Sequence, residues 1–284
     1  MALHRWQSSR DTCQKTENHD LAFRIGSVLE VDRLAKRYGE VLALRDLTVR
    51  VGEGSCLVLL GRNGAGKTTA LRCMAGVLVP TSGSVKVDGT DAATDPAAVR
   101  SKVGLMPEVP GLYERMSART YLDYFGAIYD LEPGLRRSRI EELLGKFDLL
   151  DAADRWLGTY SKGMRQKVAL IRATLHRPRL VLADEPTSAL DPDSARRAWE
   201  YLKGLQRNGC ALVICTHSME EAEVLGEQIG IMSSGRALAV GDMAQLRKRS
   251  GLKTRRELRE VPTLQDIYLA IVGNHHELAE PRSA

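Results

Sequence analysis

The sequence predicts an α/β fold in which short buried strands alternate with helices around a phosphate-binding loop. Residues 61–69 match the pattern G-x-x-x-x-G-K-[ST]. The apolar run Cys56–Leu60 leads into this loop as a buried strand, and residues 69–74 lead out of it with helical spacing. Residues 180–185 form a second apolar run that ends in two adjacent carboxylates. A phosphate loop between a strand and a helix, together with an acidic strand end, is typical of a nucleotide-binding domain.

The residue types in the loop follow from what phosphate binding requires. Glycines let backbone N–H groups turn inward around phosphate oxygens, and the helix that follows adds the favourable end of its dipole. Lys67 can then reach the β- and γ-phosphates, and the Thr68 hydroxyl can bind Mg²⁺. The alternative is a chance glycine-rich turn, which the flanking strand and helix disfavour. The residues expected to surround the nucleotide phosphates are Gly61, Arg62, Asn63, Gly64, Ala65, Gly66, Lys67, Thr68 and Thr69.

Length and composition indicate a globular chain with one large domain and tails. The chain has 284 residues, of which 43% are hydrophobic and 27% charged. No apolar run approaches the roughly 18 residues that span a bilayer, and the N-terminus is polar rather than signal-like. If the protein acts at a membrane, we expect another chain to supply the membrane part.

Charge and cysteine content exclude several other classes. The net charge of +5 is modest, and the basic cluster at residues 247–256 lacks interleaved aromatics, so nucleic acid is not an expected partner. The five cysteines show no C-x-x-C spacing, and four lie in apolar or helical surroundings. We therefore predict buried, reduced thiols and no zinc site.

The pattern along the chain divides it into three parts. Residues 1–27 are polar and without a sustained period, which predicts a poorly ordered extension. Residues 28–241 carry the nucleotide domain, with a helical subdomain at about 108–176. Residues 242–284 form a C-terminal helical tail whose last amphipathic segment lies around 264–272.

Strands and helices within the nucleotide domain follow from apolar period and turn residues. Strands are expected at 28–31, 42–49, Cys56–Leu60, 84–87, Val103–Met106, 180–183 and 211–215, and 229–232 should pair with 237–240 as a hairpin. Helices are expected at 69–74, 117–129, 136–147, 162–175 and 192–205.

The acidic strand end is the second candidate site. Asp184 beside a phosphate loop is placed to hold Mg²⁺, directly or through water. The adjacent Glu185 can act as general base on an attacking water. A solvated acidic turn is the alternative, and it is disfavoured because the apolar-flanked pair is followed by Pro186.

With these residues placed, the chain resembles the ATP-binding subunit of an ABC transporter from about residue 28 to residue 241. Residues 61–69 resemble the family's Walker A loop, and residues 180–185 its Walker B strand with the catalytic glutamate. Tyr38 resembles the aromatic residue that stacks on adenine, although it could be an ordinary turn aromatic. Residues 188–191 resemble the loop that crosses between subunits, and His217 the histidine that contacts the γ-phosphate.

The family signature, usually L-S-G-G-Q, has its counterpart within residues 160–166. Lys162 replaces the first glycine and Met164 the glutamine, while Ser161 and Gly163 remain as the expected phosphate contacts. Read locally, Ser161 caps the following helix, and both interpretations hold together because capping and anion binding use the same helix end. Glu108 stands where the family has a glutamine, and its carboxylate can still ligate Mg²⁺.

The resemblance implies a P-loop NTPase fold of the ABC ATPase type, a RecA-like core with an antiparallel β subdomain and a helical subdomain. It implies an ATP hydrolase that uses ATP and Mg²⁺, with Lys67, Glu185 and His217 in catalysis and Thr68, Asp184 and Glu108 at the metal. It also implies two copies that close head-to-tail and a separate transmembrane permease, with the chain cytoplasmic and peripheral on the inner face of the cell membrane. Export is the expected direction. An importer ATPase is the alternative, followed by a soluble ABC ATPase without a transport role.

Overall fold

The computed structural model describes residues 26–252 together with residues 264, 267, 268, 270 and 271. Its centre is a six-stranded sheet in the order β10-β9-β3-β8-β7-β6, parallel except for the antiparallel β9–β10 hairpin. The strands are β3 (Cys56–Leu60), β6 (Val103–Met106), β7 (Leu180–Asp184), β8 (Ala211–Thr216), β9 (Gln228–Ser233) and β10 (Arg236–Gly241). The predicted α/β core and its terminal hairpin are confirmed.

Both faces of this sheet are covered, which explains why its strands are apolar at nearly every position. Along β3, Leu57 and Leu59 pack into one hydrophobic cluster, and Val58 and Leu60 pack into the other. The side-chain period of two therefore divides each strand between two cores.

A second sheet covers one face of the core. It is antiparallel, in the order β2-β1-β4-β5, and consists of β1 (Ser27–Tyr38), β2 (Val41–Gly52), β4 (Ser82–Val87) and β5 (Thr90–Asp91). The helices α1 (Lys67–Met74) and α2 (Pro96–Lys102) contribute to the core beneath it. This arrangement is the antiparallel β subdomain that the sequence predicts.

Helices cover the other face. They are α3 (Ala118–Ile128), α4 (Pro133–Lys146), α5 (Lys162–Thr174), α6 (Pro192–Arg207), α7 (Met219–Leu225) and α8 (Met243–Ser250), with 3₁₀ turns at Leu150–Ala152 and Leu157–Thr159. Ser117 and Ser161 cap α3 and α5 by accepting hydrogen bonds from Thr120 N and Met164 N. The predicted helical segment between the phosphate loop and β7 is therefore present.

Several boundaries differ from the sequence-based expectation. The strand β1 continues to Tyr38 instead of ending at residue 31, because irregular register after Val31 accommodates polar residues that break the alternation. The helix α4 begins at Pro133, three residues before the predicted start, where Glu132 caps it and Pro133 suits the first turn. The short helices α2 and α7 were not predicted, because seven residues give too little apolar period.

The ends of the chain are described only in part. The predicted extension at residues 1–27 lies outside the described residues except for Gly26 and Ser27, the latter at the start of β1. In the C-terminal tail, residues 264, 267, 268, 270 and 271 are helical, and Leu264, Ile267 and Tyr268 are buried in the core. The Leu264 N–H donates to Glu223 of α7. Within the described ranges, no helix has the length and apolar character needed to cross a membrane.

The predicted burial of the cysteine thiols is confirmed for the four residues that the structure describes. Each is a free, buried thiol, and burial is the first cause that raises the pKa of all four. These residues are Cys56, Cys73, Cys210 and Cys215. Cys13 lies outside the described residues.

Candidate active site

The phosphate loop connects β3 to α1 and requires glycine at several positions. Gly64 and Gly66 have φ of 81° and 95°, in the left-handed region that glycine tolerates. A Cβ atom on Gly66 would stand 2.6 Å from the Ala43 carbonyl oxygen of β2, and one on Gly61 would collide with the Met232 carbonyl. The loop therefore packs backbone against backbone at both ends, which holds its open turn in place.

Lys67 is the most constrained cation of the site. Its side chain is buried, and its ammonium donates to the carbonyl oxygens of Gly61 at 2.6 Å and Arg62 at 3.3 Å. The same nitrogen lies 3.6 Å from Glu185 Oε1. The loop thus holds a positive charge at its centre, between its own carbonyls and the acidic end of β7.

Thr68 and Asp184 meet directly. The Thr68 hydroxyl donates to Asp184 Oδ2 at 2.6 Å, although 116 residues separate them in sequence. Burial is the main cause that raises the pKa of the Asp184 carboxyl; the Thr68 hydrogen bond opposes it, and the negative charges of Glu108 and Glu185 add to it. A cation at this point would stabilise the ionised carboxylate.

The donor set fits a magnesium ion that takes most of its ligands from elsewhere. The predicted ligands Thr68, Asp184 and Glu108 line one cleft of about 260 Å³ together with the phosphate loop. In the described part of the chain, no three His, Cys, Asp or Glu residues are grouped closely enough to hold a metal. Mg²⁺ commonly binds through one or two carboxylates and completes its shell with water and phosphate oxygens, which is what this cleft would require.

Glu185 occupies a strained backbone position at the end of β7. Its φ is 51°, which a non-glycine residue adopts only when its surroundings enforce it. Its N–H donates to the Cys215 carbonyl at 2.8 Å, and its carbonyl accepts from Gln166 Nε2 at 2.5 Å and from Ser188 Oγ at 3.1 Å. These contacts fix the direction in which the carboxylate points.

The Glu185 carboxylate faces His217 and retains an unused acceptor. Glu185 Oε2 lies 2.9 Å from His217 Nδ1, and Glu185 Oε1 is buried without a hydrogen-bond partner. The His217 side chain is 60% exposed and lines an adjoining pocket with Gly61 and Asn63. A buried carboxylate oxygen without a donor is suited to accept a proton from a water molecule.

The structure does not place every predicted site residue in this cleft. Of the described residues that were predicted for the site, five do not line this cleft: Tyr38, Gly61, Ser161, Gly163 and His217. Gly61 and His217 line an adjoining pocket together with Arg62 and Asn63. Ser161 caps α5, and a Cβ on Gly163 would stand 2.9 Å from the Ala189 carbonyl, so glycine permits the loop at 188–191 to approach this helix. Tyr38 is 45% exposed at the end of β1, with the Lys36 ammonium 5.5 Å from its ring centroid.

Two buried polar residues beside the site had no predicted role. Gln166 is the last residue of the signature-like stretch, and it is buried and reaches Glu185 from α5. Glu221 is buried beside Thr187 and Trp199. The only signal for these residues was their position in or next to recognised motifs, because a glutamine or glutamate on a helix ordinarily indicates a solvated face.

A phosphate loop after a parallel strand, facing carboxylates at the end of a neighbouring strand, defines a P-loop nucleotide hydrolase. Residues 44–188 match the sequence model of the family described as ABC transporter. The chain belongs to the ABC transporter family, as its ATP-binding, ATP-hydrolysing subunit.

Similar curated proteins agree with this assignment. The chain is 40% identical over 207 residues to the ABC transporter ATP-binding protein NatA of Bacillus subtilis (strain 168), covering 72% of this chain and 84% of that protein. It is 38% identical to the daunorubicin resistance ATP-binding protein DrrA2 of Streptomyces coeruleorubidus, over 75% of this chain and 66% of that protein. It is 35% identical to the Nod factor export ATP-binding protein I of Cupriavidus pinatubonensis (strain JMP 134 / LMG 1197), over 76% and 66%.

Similar solved structures confirm the fold. The structure of an ATP-binding subunit of an ABC transporter superposes with a TM-score of 0.79 at 29% identity, over 86% of this chain and 99% of that one. A dimeric post-hydrolysis state of the ATP-binding cassette MJ0796, bound to ADP and Pi, gives a TM-score of 0.70 at 26% identity, over 76% and 98%. The predicted ABC ATPase fold is therefore confirmed.

Proposed function

We propose that this chain hydrolyses ATP with Mg²⁺ in a composite site shared by two copies, and that it powers export through a separate membrane permease. The observation that carries the proposal is the meeting of Lys67, Thr68, Asp184, Glu185 and His217 at the carboxyl ends of β3, β7 and β8. We assign the nucleotide domain to residues 28–241, with a helical subdomain at about 108–176, between an N-terminal extension and the tail at 242–284.

Each side chain of the site has a distinct role in the proposal. Lys67 leaves its loop carbonyls to bind the β- and γ-phosphate oxygens, and the loop N–H groups bind the remaining oxygens. Glu185 accepts a proton from the water whose oxygen attacks the γ-phosphorus, while the bond to the departing ADP oxygen breaks. His217, whose ring contacts the Glu185 carboxylate, binds a γ-phosphate oxygen. Thr68, Asp184 and Glu108 would hold Mg²⁺, which neutralises phosphate charge when bound.

A second copy of the chain would complete the site. Ser161 and Gly163 lie at the free N-terminus of α5 and not in their own chain's cleft, so this helix end is available for the phosphate of ATP bound to a partner. Tyr38 would stack on adenine from the β1–β2 hairpin, whose second strand contributes Ala43 to the cleft. A dimeric arrangement of the similar cassette bound to ADP and Pi supports this proposal.

The hydrolytic roles are tested with Glu185→Gln. Because the amide cannot accept the proton, we expect turnover to fall by at least about 100-fold, while ATP binding persists. Light scattering after size-exclusion chromatography should then show an ATP-dependent dimer. Glu200→Gln, at an exposed carboxylate on α6, is the matched control and should behave as the parent. Turnover within a few-fold of the parent for Glu185→Gln would exclude the assigned role.

The permease is proposed to dock on the helical subdomain next to the cleft. Val109 is 78% exposed, Tyr113 50%, Tyr124 45% and Ile128 54%, which leaves an apolar and aromatic surface uncovered. The aromatic rings of this surface contact one another, so the surface is preformed. A cytoplasmic helix of a membrane partner is the occupant expected there, which would hold the chain at the inner face of the membrane.

A membrane pull-down tests this contact. Tyr124→Glu should reduce recovery of the subunit with its permease by at least about tenfold, without changing the ATPase activity of the isolated subunit. Leu135→Glu, an equally drastic change at a residue that is 72% exposed on α4, is the control. Equal recovery of both variants would contradict the docking site.

Export is favoured over import by the names of similar proteins. DrrA2 is named for daunorubicin resistance, and another relative is named for Nod factor export. An importer ATPase is the second candidate. The neighbouring genes discriminate the two, since a permease gene accompanied by a gene for a solute-binding protein indicates import, and a permease gene alone indicates export.

A further inference from the structure

A buried glutamate lies behind the active site without an assigned role. Glu221, in α7, is 1% exposed. Its Oε1 accepts hydrogen bonds from Thr187 Oγ1 at 2.7 Å and from Trp199 Nε1 at 3.1 Å. In the part of the chain that the structure describes, no Lys, Arg or His forms an ion pair with it.

The two donors come from different elements of the site. Thr187 lies two residues after Glu185, in the turn that leaves β7. Trp199 belongs to α6, which begins directly after the loop at 188–191. One carboxylate oxygen therefore joins α7, the turn that carries Glu185 and the helix that follows the predicted subunit-crossing loop.

The same glutamate adjoins the turn that carries His217. Thr216 Oγ1 lies 3.4 Å from Glu185 Oε2 and accepts a hydrogen bond from Ser218 N at 3.0 Å. The Glu221 N–H in turn donates to Ser218 Oγ at 3.2 Å. The network thus reaches the Glu185 carboxylate and both residues that flank His217 in sequence.

The buried carboxylate of Glu221 lowers the stability of the fold compared with an apolar side chain at the same position. Burial is the main cause that raises the pKa of the Glu221 carboxyl, with the charge of Glu185 adding to it, while hydrogen bonds from Thr216, Thr187 and Trp199 lower it. Buried acids without a cationic partner are destabilising compared with a well-packed apolar side chain. A fold that keeps one here gains the fixed direction of two hydrogen bonds.

We propose that Glu221 is a positioning residue for ATP hydrolysis, which acts by fixing Thr187 and Trp199 and thereby the carboxylate of Glu185. The inference rests on the hydrolytic role proposed for Glu185. Because the Glu185 backbone is in a left-handed conformation, with φ of 51°, the segment after it must be anchored for the conformation to persist. Besides the contacts of the Glu185 backbone itself, Thr187 anchors this segment, and Glu221 holds Thr187.

Kinetics of Glu221→Ala and Glu221→Gln in the full chain test the proposal. We expect Ala to lower kcat by at least about tenfold with KM for ATP changed less than about threefold, because positioning affects the transition state more than ATP binding. Gln should stay within about threefold of the parent, since its amide oxygen can accept both hydrogen bonds. Thr187→Val removes the donor of the same hydrogen bond and should lower kcat as Glu221→Ala does. This variant keeps the proposal testable if Glu221→Ala does not fold.

Tyr201→Phe is the matched structural control. It removes a buried hydrogen bond of 2.8 Å, from Tyr201 Oη to Thr174 Oγ1, on the same helix as Trp199 but away from the cleft. Its melting temperature should fall while kcat of the folded protein stays at the parent value. A merely structural Glu221 would give this same pattern.

Trp199 provides a direct spectroscopic signal. In a background with Trp6→Phe and Trp156→Phe, its emission reports the indole hydrogen bond. Glu221→Ala should change the emission maximum, and Glu221→Gln should leave it near that of the parent. A folded Glu221→Ala with kcat within twofold of the parent, or a Gln variant as impaired as Ala, would overturn the proposal. If Glu185→Gln fails as expected but Glu221→Ala is normal, only the positioning role is wrong; if Glu185→Gln is normal, both proposals fail.

Discussion

His176 should make the stability of the fold pH-dependent below neutrality. It follows α5 and stacks on Tyr129 at the end of α3, with ring centroids 3.7 Å apart and planes within 2°. Burial lowers the pKa of its imidazole from 6.5 to about 4; the backbone of Val103 opposes this effect, and the charge of Arg139 adds to it. The folded protein thus keeps the imidazole neutral where the unfolded chain protonates it.

The sign and size of the effect follow from linkage. A histidine with a depressed pKa contributes its full stability above the unfolded pKa of 6.5 and loses it as the pH falls towards the folded value of about 4. A shift of one pKa unit corresponds to about 1.4 kcal/mol, so the whole shift corresponds to about 3.4 kcal/mol. Between pH 7.5 and pH 5.0, the expected loss is about 2 kcal/mol.

Urea unfolding at pH 7.5 and 5.0 measures this loss. The variant His176→Phe preserves a ring that can stack on Tyr129 but removes the titrating group. The parent should lose about 2 kcal/mol more stability than the variant between these pH values. Because the other titrating groups are common to both proteins, the difference isolates His176. Parallel pH dependence in the two proteins would show that the imidazole is not held neutral by burial.

Three further predictions concern the site and the thiols. Gln166→Met removes a donor to the Glu185 carbonyl, which Ser188 replaces only in part. The free energy of unfolding should fall by about 1 kcal/mol and kcat by roughly 3- to 10-fold. An unchanged kcat would show that this hydrogen bond does not position Glu185. Tyr38→Ala should weaken ATP binding by roughly 5- to 30-fold in a titration, and Tyr38→Phe should bind ATP as the parent does. Unchanged binding by Tyr38→Ala would show that adenine stacks elsewhere. In the variant Cys13→Ser, a disulfide-exchange reagent should label the native protein slowly and the urea-unfolded protein fully. The reason is that the four remaining thiols are buried, and burial raises the pKa values of Cys73 and Cys210 to about 11. Rapid labelling of the native protein would show that these thiols are accessible.

Much of the site could be predicted because its residues follow local rules. Residues 61–69 must contain glycines for backbone reasons and a lysine for charge, so their identity and spacing are visible in the sequence. Asp184 and Glu185 could be placed beside the phosphate loop because the carboxyl ends of parallel strands meet at one edge of the sheet. In the folded chain, the Thr68 hydroxyl contacts Asp184 although 116 residues separate them.

Other features could not be read because no local pattern encodes them. The strand β1 was predicted too short, since its polar residues after Val31 fit the sheet only through irregular pairing with β2 and β4. The helix α7 has seven residues, and packing against its neighbours supplies the stability that its own turns lack. Both depend on contacts with segments distant in sequence.

The sequence by itself determined the α/β core and the phosphate loop, because apolar period and backbone geometry constrain them locally. It also determined the order along the chain in which the capped helix α5, the acidic strand end and His217 follow the loop. The tertiary structure alone decided that Gln166 donates to the Glu185 carbonyl and that Glu221 is buried against Thr187 and Trp199. A buried polar side chain is identified by its partners, and those partners come from other helices and turns. Tertiary packing also decided that the N-terminus of α5 lies outside its own chain's cleft, because α5 packs on the helical side of the core while the cleft lies at the carboxyl ends of the strands.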